Sequence, residues 1–427
     1  MNLTEQTIVK YSDEYYKLFD ELCFKAKNLY NAALYKIRQA YFEYEATMSY
    51  NSIDKVFKRK ESKETEFPDD YAEMPMASSA QGTLKLVMQN WNSFWASVKE
   101  YAKHPEKFTG RPQMPKYLHK TKGRAIVYLT NQNVKVKDGV LHFPKSFCGF
   151  TVPTNVSKAD IRLVQIVPKN RHFVVEVVYE TQETPKKPDN SRYIGVDLGV
   201  DNFAAVVSND GSQPVLINGK GLKSLNKRWN KRISYLREVE TAMNGEWIFT
   251  STGKAKISKQ TKQQTILTNK RNNQVKDFCH KASKKIVELA LERGCNTIVV
   301  GKNTDWKQES EMSKVTNQSF VQIPHAVFID MLEYKCQRYG LNFAVTEEAH
   351  TSKTSWLDNE IPCHHDTYVG KRVKRGLFRS AKRLLINADV NGALQIVRKV
   401  FPKAGISNAN SSDGVWAFGQ PVRVNII

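Results

Sequence analysis

The sequence predicts a multidomain α/β protein, and three observations carry that reading. Two long amphipathic helices occupy the first hundred or so residues, a run of short strands follows over 125–180, and beyond the polar, proline-bearing stretch TQETPKKPDNS the order becomes strand, strand, strand, helix, strand, helix, strand, helix. That last order describes a mixed sheet with helices layered on it. At 427 residues the chain has room for roughly two to three domains and a sizeable core.

From Glu14 to about Glu45 the apolar positions Leu18, Leu22, Ala26, Leu29, Ala33, Ile37 and Tyr41 recur every three or four residues, the period of one buried helix face. Trp91, Phe94, Trp95 and Val98 repeat that spacing in a second helix, and an aromatic stripe at helical period reads as core before it reads as a base-stacking surface. Between the helices, KRKESKETEFPDDYAEMP is charged and proline-punctuated, which predicts a loop. Residues 101–124 hold seven Lys or Arg, among them Lys107, Arg111 and Lys116, against one Glu, and three prolines forbid a regular helix. With Phe108 and Tyr117 interleaved, this extended segment suits a phosphate backbone as well as a solvated linker. AIVYLT, VLHFP, FTVPT, IRLVQIV and HFVVEVVYE then read as strands, the last two a hairpin closed by PKNR, and their succession suggests a small barrel.

A second domain starts near Arg192. As a strand, YIGVDLGV puts Ile194, Val196, Leu198 and Val200 on one face and Gly195, Asp197 and Gly199 on the other. The first face is apolar. The second bears one carboxylate between missing side chains, which lets a ligand or metal approach the backbone. NFAAVVS and PVLING continue the sheet across the turn signal NDG. Two mostly helical stretches follow, and residues 254–285 carry ten Lys or Arg against a single Asp, predicting a phosphate-facing helix. CNTIVVG is a buried strand, IPHAVFIDMLEYKCQRYG a helix ending at Gly340, and LNFAVTEE a further strand. LINADVNGALQIVRKV is a final helix, on which Asp389 lies beside the stripe Ile386, Val390, Leu394 and Val397 and so points to the sheet.

Lys and Arg number 65 against 43 Asp and Glu, a net charge of +22 that implies a polyanionic partner. No apolar run is long enough to span a bilayer and MNLTEQTIVKYSDE shows no signal-peptide pattern, so nucleic acid is favoured over a membrane. Six scattered cysteines with no C-x-x-C pair signal neither a disulfide framework nor a zinc knuckle, and a reducing cytosol is expected. Asp197, the pair Glu347 and Glu348, and Asp389 stand where such a sheet can gather them. Gathered carboxylates repel unless a cation intervenes, and hard oxygen ligands select Mg2+ or Mn2+.

GVDLGVDNFAAVVS, GKGLKSLNKRWNKRISYLR, VQIPHAVFIDMLEYKCQRYG, TSKTSWLD and LINADVNGALQIVRKV, with KNLYNAALYKIRQ and KFTGRPQMPKY upstream, resemble the transposon-encoded TnpB proteins and the compact type V CRISPR effectors related to them, over nearly the whole chain. The resemblance implies a β-barrel wedge domain (1–12 and 106–186) interrupted by a helical recognition domain (13–105), an RNase H-like RuvC nuclease domain (187–350 and 385–400), a nucleic-acid-binding insert (351–384) and a tail (401–427). It implies a guide RNA that directs the protein to double-stranded DNA beside a short motif, base pairing reading the target. It also implies two metal ions, about 3.5 to 4 Å apart, that activate water and stabilise the leaving oxygen of a phosphodiester. Asp197, Asp389 and a glutamate are the expected ligands. Lys223, Arg228, Trp229, Lys231, Arg232, Lys270 and Arg271 on the two helical stretches, and Lys371, Arg372, Lys374 and Arg375 on the insert, are the expected nucleic-acid contacts; Trp229 either stacks on a base or packs between helices. The oligomeric state stays open.

The chain departs from its relatives' pattern twice. Gly301 stands where the second catalytic Glu is usual, and glycine cannot ligate a metal. The glutamates of VTEEAHTSK offer a relocated ligand: Glu348 first, then Glu347, which alternation along Phe343 and Val345 turns to the opposite face. Asp305 ranks third. In the insert only Cys363, His364 and His365 stand where two cysteine pairs are usual, so no structural zinc is expected. Its eight Lys or Arg against three acids predict a basic lid over the cleft. A nuclease-inactive RNA-guided repressor is the main alternative function, and a guide-independent, structure-specific nuclease the second.

Overall fold

The structure, a computed structural model, describes residues 1–58, 70–250, 253–302, 322–404 and 420–426. The chain divides into two units, Met1–Gln182 and Glu183–Ile427, at the polar proline-bearing stretch.

The first unit contains β1 (Asn2–Lys10), α1 (Tyr16–Tyr44), α2 (Tyr50–Lys58), α3 (Ala77–Lys103), β2 (Val127–Thr130), β3 (Lys135–Lys137), β4 (Val140–His142), β5 (Thr151–Pro153), β6 (Ile161–Lys169) and β7 (His172–Glu180). The predicted stripe of α1 is core: Leu22, Ala26, Leu29, Ala33 and Ile37 are buried, and α3 adds Trp91 at 2% exposure. The spacing does not reveal α2, because its only buried anchors are Ile53 and Phe57, too few for a period to stand out. Residues 59–69 of the predicted loop lie outside the described residues. The basic segment expected to be extended throughout departs from that at three places, because residues 101–103 close α3, Pro105–Lys107 form a short turn of 3-10 helix and 120–122 form a turn, while 111–119 are neither helix nor strand. It is also strapped along α1, where the Asn31 side chain exchanges two hydrogen bonds with the Leu118 backbone, 2.8 and 2.9 Å. Lys27 Nζ donates to the Lys120 carbonyl at 2.7 Å, and the Arg38 guanidinium lies 4.7 Å from the Tyr117 ring centroid. The strands expected to make a small barrel form two sheets, β1-β7-β6-β2 and β3-β4-β5, and the predicted hairpin closes with Lys169 opposite His172.

The second unit contains β8 (Tyr193–Leu198), β9 (Asn202–Ser208), β10 (Val215–Asn218), α4 (Lys220–Asn244), β11 (Glu246–Thr250), β12 (Gly253–Ile257), α5 (Lys262–Glu292), β13 (Thr297–Gly301), α6 (His325–Arg338), β14 (Asn342–Thr346), β15 (Lys371–Lys374), β16 (Leu377–Arg379), β17 (Leu385–Asn387), α7 (Ala388–Val400) and β18 (Val422–Val424). Its central sheet has the order β14-β13-β8-β9-β10-β18. The sheet is mixed: β13 runs parallel to both β8 and β14, β9 antiparallel to β8 and β10, and β18 parallel to β10. The last strand comes from the C-terminal tail, whose residues 405–419 lie outside the described residues. One correction concerns the basic helix, expected over 254–285. Residues 254–257 belong instead to a hairpin with β11, and α5 begins after Thr261, whose hydroxyl accepts from Gln264 N while the Gln264 side chain accepts from Thr261 N. This reciprocal cap fixes the start of the helix. No described helix is long and apolar enough to cross a membrane.

The alternation read from YIGVDLGV holds. Ile194, Val196 and Leu198 join α5 and α6 in one core, whereas Tyr193 packs with Val390, Ala393, Leu394 and Val397 of α7 in another. Gly195 permits the second contact, since a Cβ there would stand 2.4 Å from the Ala393 carbonyl oxygen and 2.5 Å from a Val397 methyl. Gly195→Ala must therefore push α7 off the sheet. We expect it to cost about 1–3 kcal/mol of stability, read from the urea midpoint at an unchanged m value.

Candidate active site

Parallel pairing sets the first two positions. Val300 of β13 is the partner of Val196 in β8, so Gly301 stands level with Asp197, and on its other side Gly301 is the partner of Thr346 in β14. Glu348 follows two residues after β14 ends. A Cβ built at Gly301 would meet Glu348 Cγ and Oε1, each at 2.5 Å. The relocated glutamate thus fills the space that a side chain at 301 would need, while Glu347 is exposed.

Helix α7 supplies the third carboxylate. Asn387 caps it, its Oδ1 accepting from Asp389 N at 3.0 Å and Val390 N at 3.2 Å, so Asp389 stands in the first turn, close to the sheet. One turn on, Gly392 leaves room for Asp197: a Cβ there would lie 2.6 Å from Asp197 Oδ2. Asn202 Nδ2 donates to Asp389 Oδ2 at 2.7 Å, and Arg423 donates to Asn202 Oδ1 at 3.3 Å, which fixes the amide's orientation. The Arg372 guanidinium reaches within 3.6 Å of Asp389 Oδ1.

Burial lifts the Glu348 carboxyl from its ordinary 4.5 to about 7. Asp197 is pushed well above the usual carboxylate range by burial first and then by the charges of Glu348 and Asp389, with Arg372 opposing. The folded protein consequently holds protons that the unfolded chain releases, so this contribution to stability falls as pH rises from 4.5 through 7 and returns on acidification. In metal-free protein the melting temperature of the wild type, taken relative to Glu348→Gln, is expected to fall as pH is raised across that window. An unchanged difference would show that Glu348 titrates at its ordinary value.

Among the described residues no three His, Cys, Asp or Glu side chains stand close enough to ligate one ion. Glu348 and Asp389 each place negative charge against Asp197, a repulsion that a bound cation would offset. Their donor chemistry, hard oxygen only, fits Mg2+ or Mn2+. The insert offers a different set. Cys363 Sγ lies 3.4 Å from His365 Nε2, which also stands 2.9 Å from the Ile361 carbonyl, and His350 Nδ1 lies 3.0 Å from the Tyr368 hydroxyl.

A family model described as "Probable transposase" (OrfB_IS605) matches residues 176–307, and one described as "Cas12f1-like, TNB domain" matches residues 325–396. The TnpB-like protein ORF457 of Acidianus two-tailed virus is 23% identical over 401 residues, covering 87% of this chain and 80% of the viral protein. Over these spans the chain is similar to the TnpB proteins and the compact type V effectors. The CRISPR-associated endodeoxyribonuclease Cas12f2 of Micrarchaeota archaeon (strain CG1_02_47_40) is 24% identical over 281 residues, 62% of this chain and 47% of that protein, so the chain spans under half of this larger relative. Similar solved structures include a Cas12f1–sgRNA–target DNA complex, 16% identical with a TM-score of 0.36 over 92% of this chain and 98% of that one. CasPhi-2 bound to crRNA and phosphorothioate DNA is 10% identical with a TM-score of 0.47, over 95% of this chain and 92% of that one.

The transposase match contains Asp197 and Gly301, and the TNB match contains Glu348 and Asp389. Asp305 lies outside the described residues. Three of the cations expected on nucleic acid are held by carboxylates. Lys223 and Arg375 bind Asp201 at 2.8 and 2.5 Å, and Lys107 binds Glu100 at 2.7 Å. Arg372 makes its longer approach to Asp389, as given above. Arg111, Lys116, Lys231, Lys371 and Lys374 are exposed. Arg228, Trp229, Arg232, Lys270 and Arg271 gather at one cavity between α4 and α5. Sequence reasoning misses Asn202, Asp201 and Gly392. A signal for Asn202 exists, a polar residue opening the apolar strand NFAAVVS directly after the Asp197 strand.

Proposed function

We propose that the chain is an RNA-guided DNA endonuclease with a RuvC-type site, in which a guide RNA selects a target next to a short motif read by a wedge barrel and its helical insert. The observation that carries the reading is Glu348 lodged beside Gly301 and electrostatically coupled to Asp197, which replaces the absent strand glutamate from a neighbouring loop. Asp197, Asp389 and Glu348 would hold Mg2+ or Mn2+, which when bound supplies an activated water and stabilises the leaving oxygen. The chain's own part is positional. Asn202 orients Asp389, Gly195 and Gly392 seat α7 against β8, and Arg372 brings positive charge to the rim where a phosphate has to lie. Exposed cations elsewhere bind nucleic-acid backbones without reading sequence.

The test is the complex purified with its own copurifying RNA, given a duplex that matches the sequenced guide. Cutting is expected in Mg2+ or Mn2+ and lost in EDTA. Tight binding with no nick in either metal would sink the nuclease reading and favour a guided repressor, the alternative that Gly301 and the hold of Asn202 and Arg372 on Asp389 support. Activity that survives RNase would instead favour a guide-independent nuclease. Neutralising an exposed phosphate-contacting cation such as Lys231 should weaken binding uniformly and lower the salt slope by about 0.9.

A further inference from the structure

Helices α4 and α5 line an open cavity of about 290 Å³ at which the half-buried Leu225, Leu267 and Trp229 meet the exposed Arg228, Arg232 and Lys270. None of its lining residues is acidic. The walls are held in place from behind. Trp229 Nε1 donates to Thr268 Oγ1 at 3.3 Å, and the Arg271 guanidinium lies 5.0 Å from the indole centroid. Arg271 is itself fixed, its Nε donating to Oδ1 of the buried Asn226 at 2.8 Å and its terminal nitrogen to the Gln322 carbonyl at 3.1 Å. A half-buried aromatic beside exposed cations matches two chemical features of one ligand class, a flat π-system and an attached phosphate. The volume is on the scale of one base with its sugar, close to the roughly 300 Å³ at which small-molecule sites begin.

We propose that this cavity receives a single unpaired nucleotide, its base against Trp229 and its phosphate on the exposed arginines, so that α4 and α5 clamp one extruded position of a bound strand. The proposal rests on the reading that the chain works on nucleic acid, and it names which conformation of the strand that surface takes.

The test uses the full chain freed of RNA, with fluorescein-labelled dodecamers of uridylate and of thymidylate followed by anisotropy at several salt concentrations. Trp229→Ala, and Leu267→Trp, which fills the cavity without deleting a packing residue, are each expected to weaken binding about tenfold while leaving the salt slope unchanged. Trp229→Phe should retain most of the affinity, and Arg228→Gln should lower the salt slope by about one. An abasic dodecamer should bind the wild type no better than the intact one binds Trp229→Ala. Whichever sugar shows the larger Trp229 dependence identifies the strand as RNA or DNA. A folded Leu267→Trp protein with unchanged affinity, or an abasic strand bound like the intact one, would overturn the pocket. No cutting is measured, so loss of the nuclease reading leaves this result standing.

Discussion

Asp197→Ala is expected to lower target cutting at least about a hundredfold, the scale on which a preorganised charge-stabilising group acts, while guide and target affinity stay within about twofold. The expectation follows from where the carboxylate stands. It shares a face with Gly195, beneath α7, and feels the charges of both Glu348 and Asp389, which places it at the meeting point of the carboxylates. The same substitution carries a second sign. Because the folded protein holds Asp197 against burial and repulsion, removing it should raise the melting temperature of metal-free protein even as it removes activity. A variant that cuts normally would separate Asp197 from the chemistry. One that both fails to cut and unfolds early would show that its role is structural.

Exchanging positions 301 and 348 should have the next largest effect. Gly301→Ala places a methyl where Glu348 Cγ and Oε1 lie and Ile396 Cδ1 is 2.6 Å away. The glutamate has to leave, and cutting should fall about tenfold or more, with a stability loss of about 1–3 kcal/mol from overpacking. Glu348→Gly alone should abolish cutting. Adding Gly301→Glu should recover part of it, because the new side chain starts from the strand position level with Asp197 and enters the vacated space. Glu347→Gln serves as the matched control and is expected to cut like the wild type, since that side chain is exposed. Full activity in Glu348→Gln would end the relocation argument, and so would a double variant as inactive as Glu348→Gly.

Periodicity made Asp197 and Asp389 legible. A two-residue period with glycines on either side singles out one carboxylate on a strand, and a helical stripe shows which way another faces. Glu348 was only half legible. Gly301 announces that a ligand is missing, but Glu347 and Glu348 lie beyond the end of β14, where alternation no longer governs which side chain turns inward. Short elements escaped for a related reason: α2 buries two anchors, and β3 spans three residues. Charge composition is silent on one further role of the basic stretch after α3: Asn31 and Lys27 hold its backbone against α1, a task that a count of lysines does not disclose.

The loop that carries Glu348 runs straight into the insert. The Glu348 carbonyl accepts from both the amide and the hydroxyl of Thr351, and a few residues later Trp356 N donates to the side chain of Asn391, inside α7. Residues 351–384 therefore anchor Glu348 at one end and the helix bearing Asp389 at the other. Excising this insert would therefore release both anchors at once, so it is tied into the carboxylate site and is not spare mass.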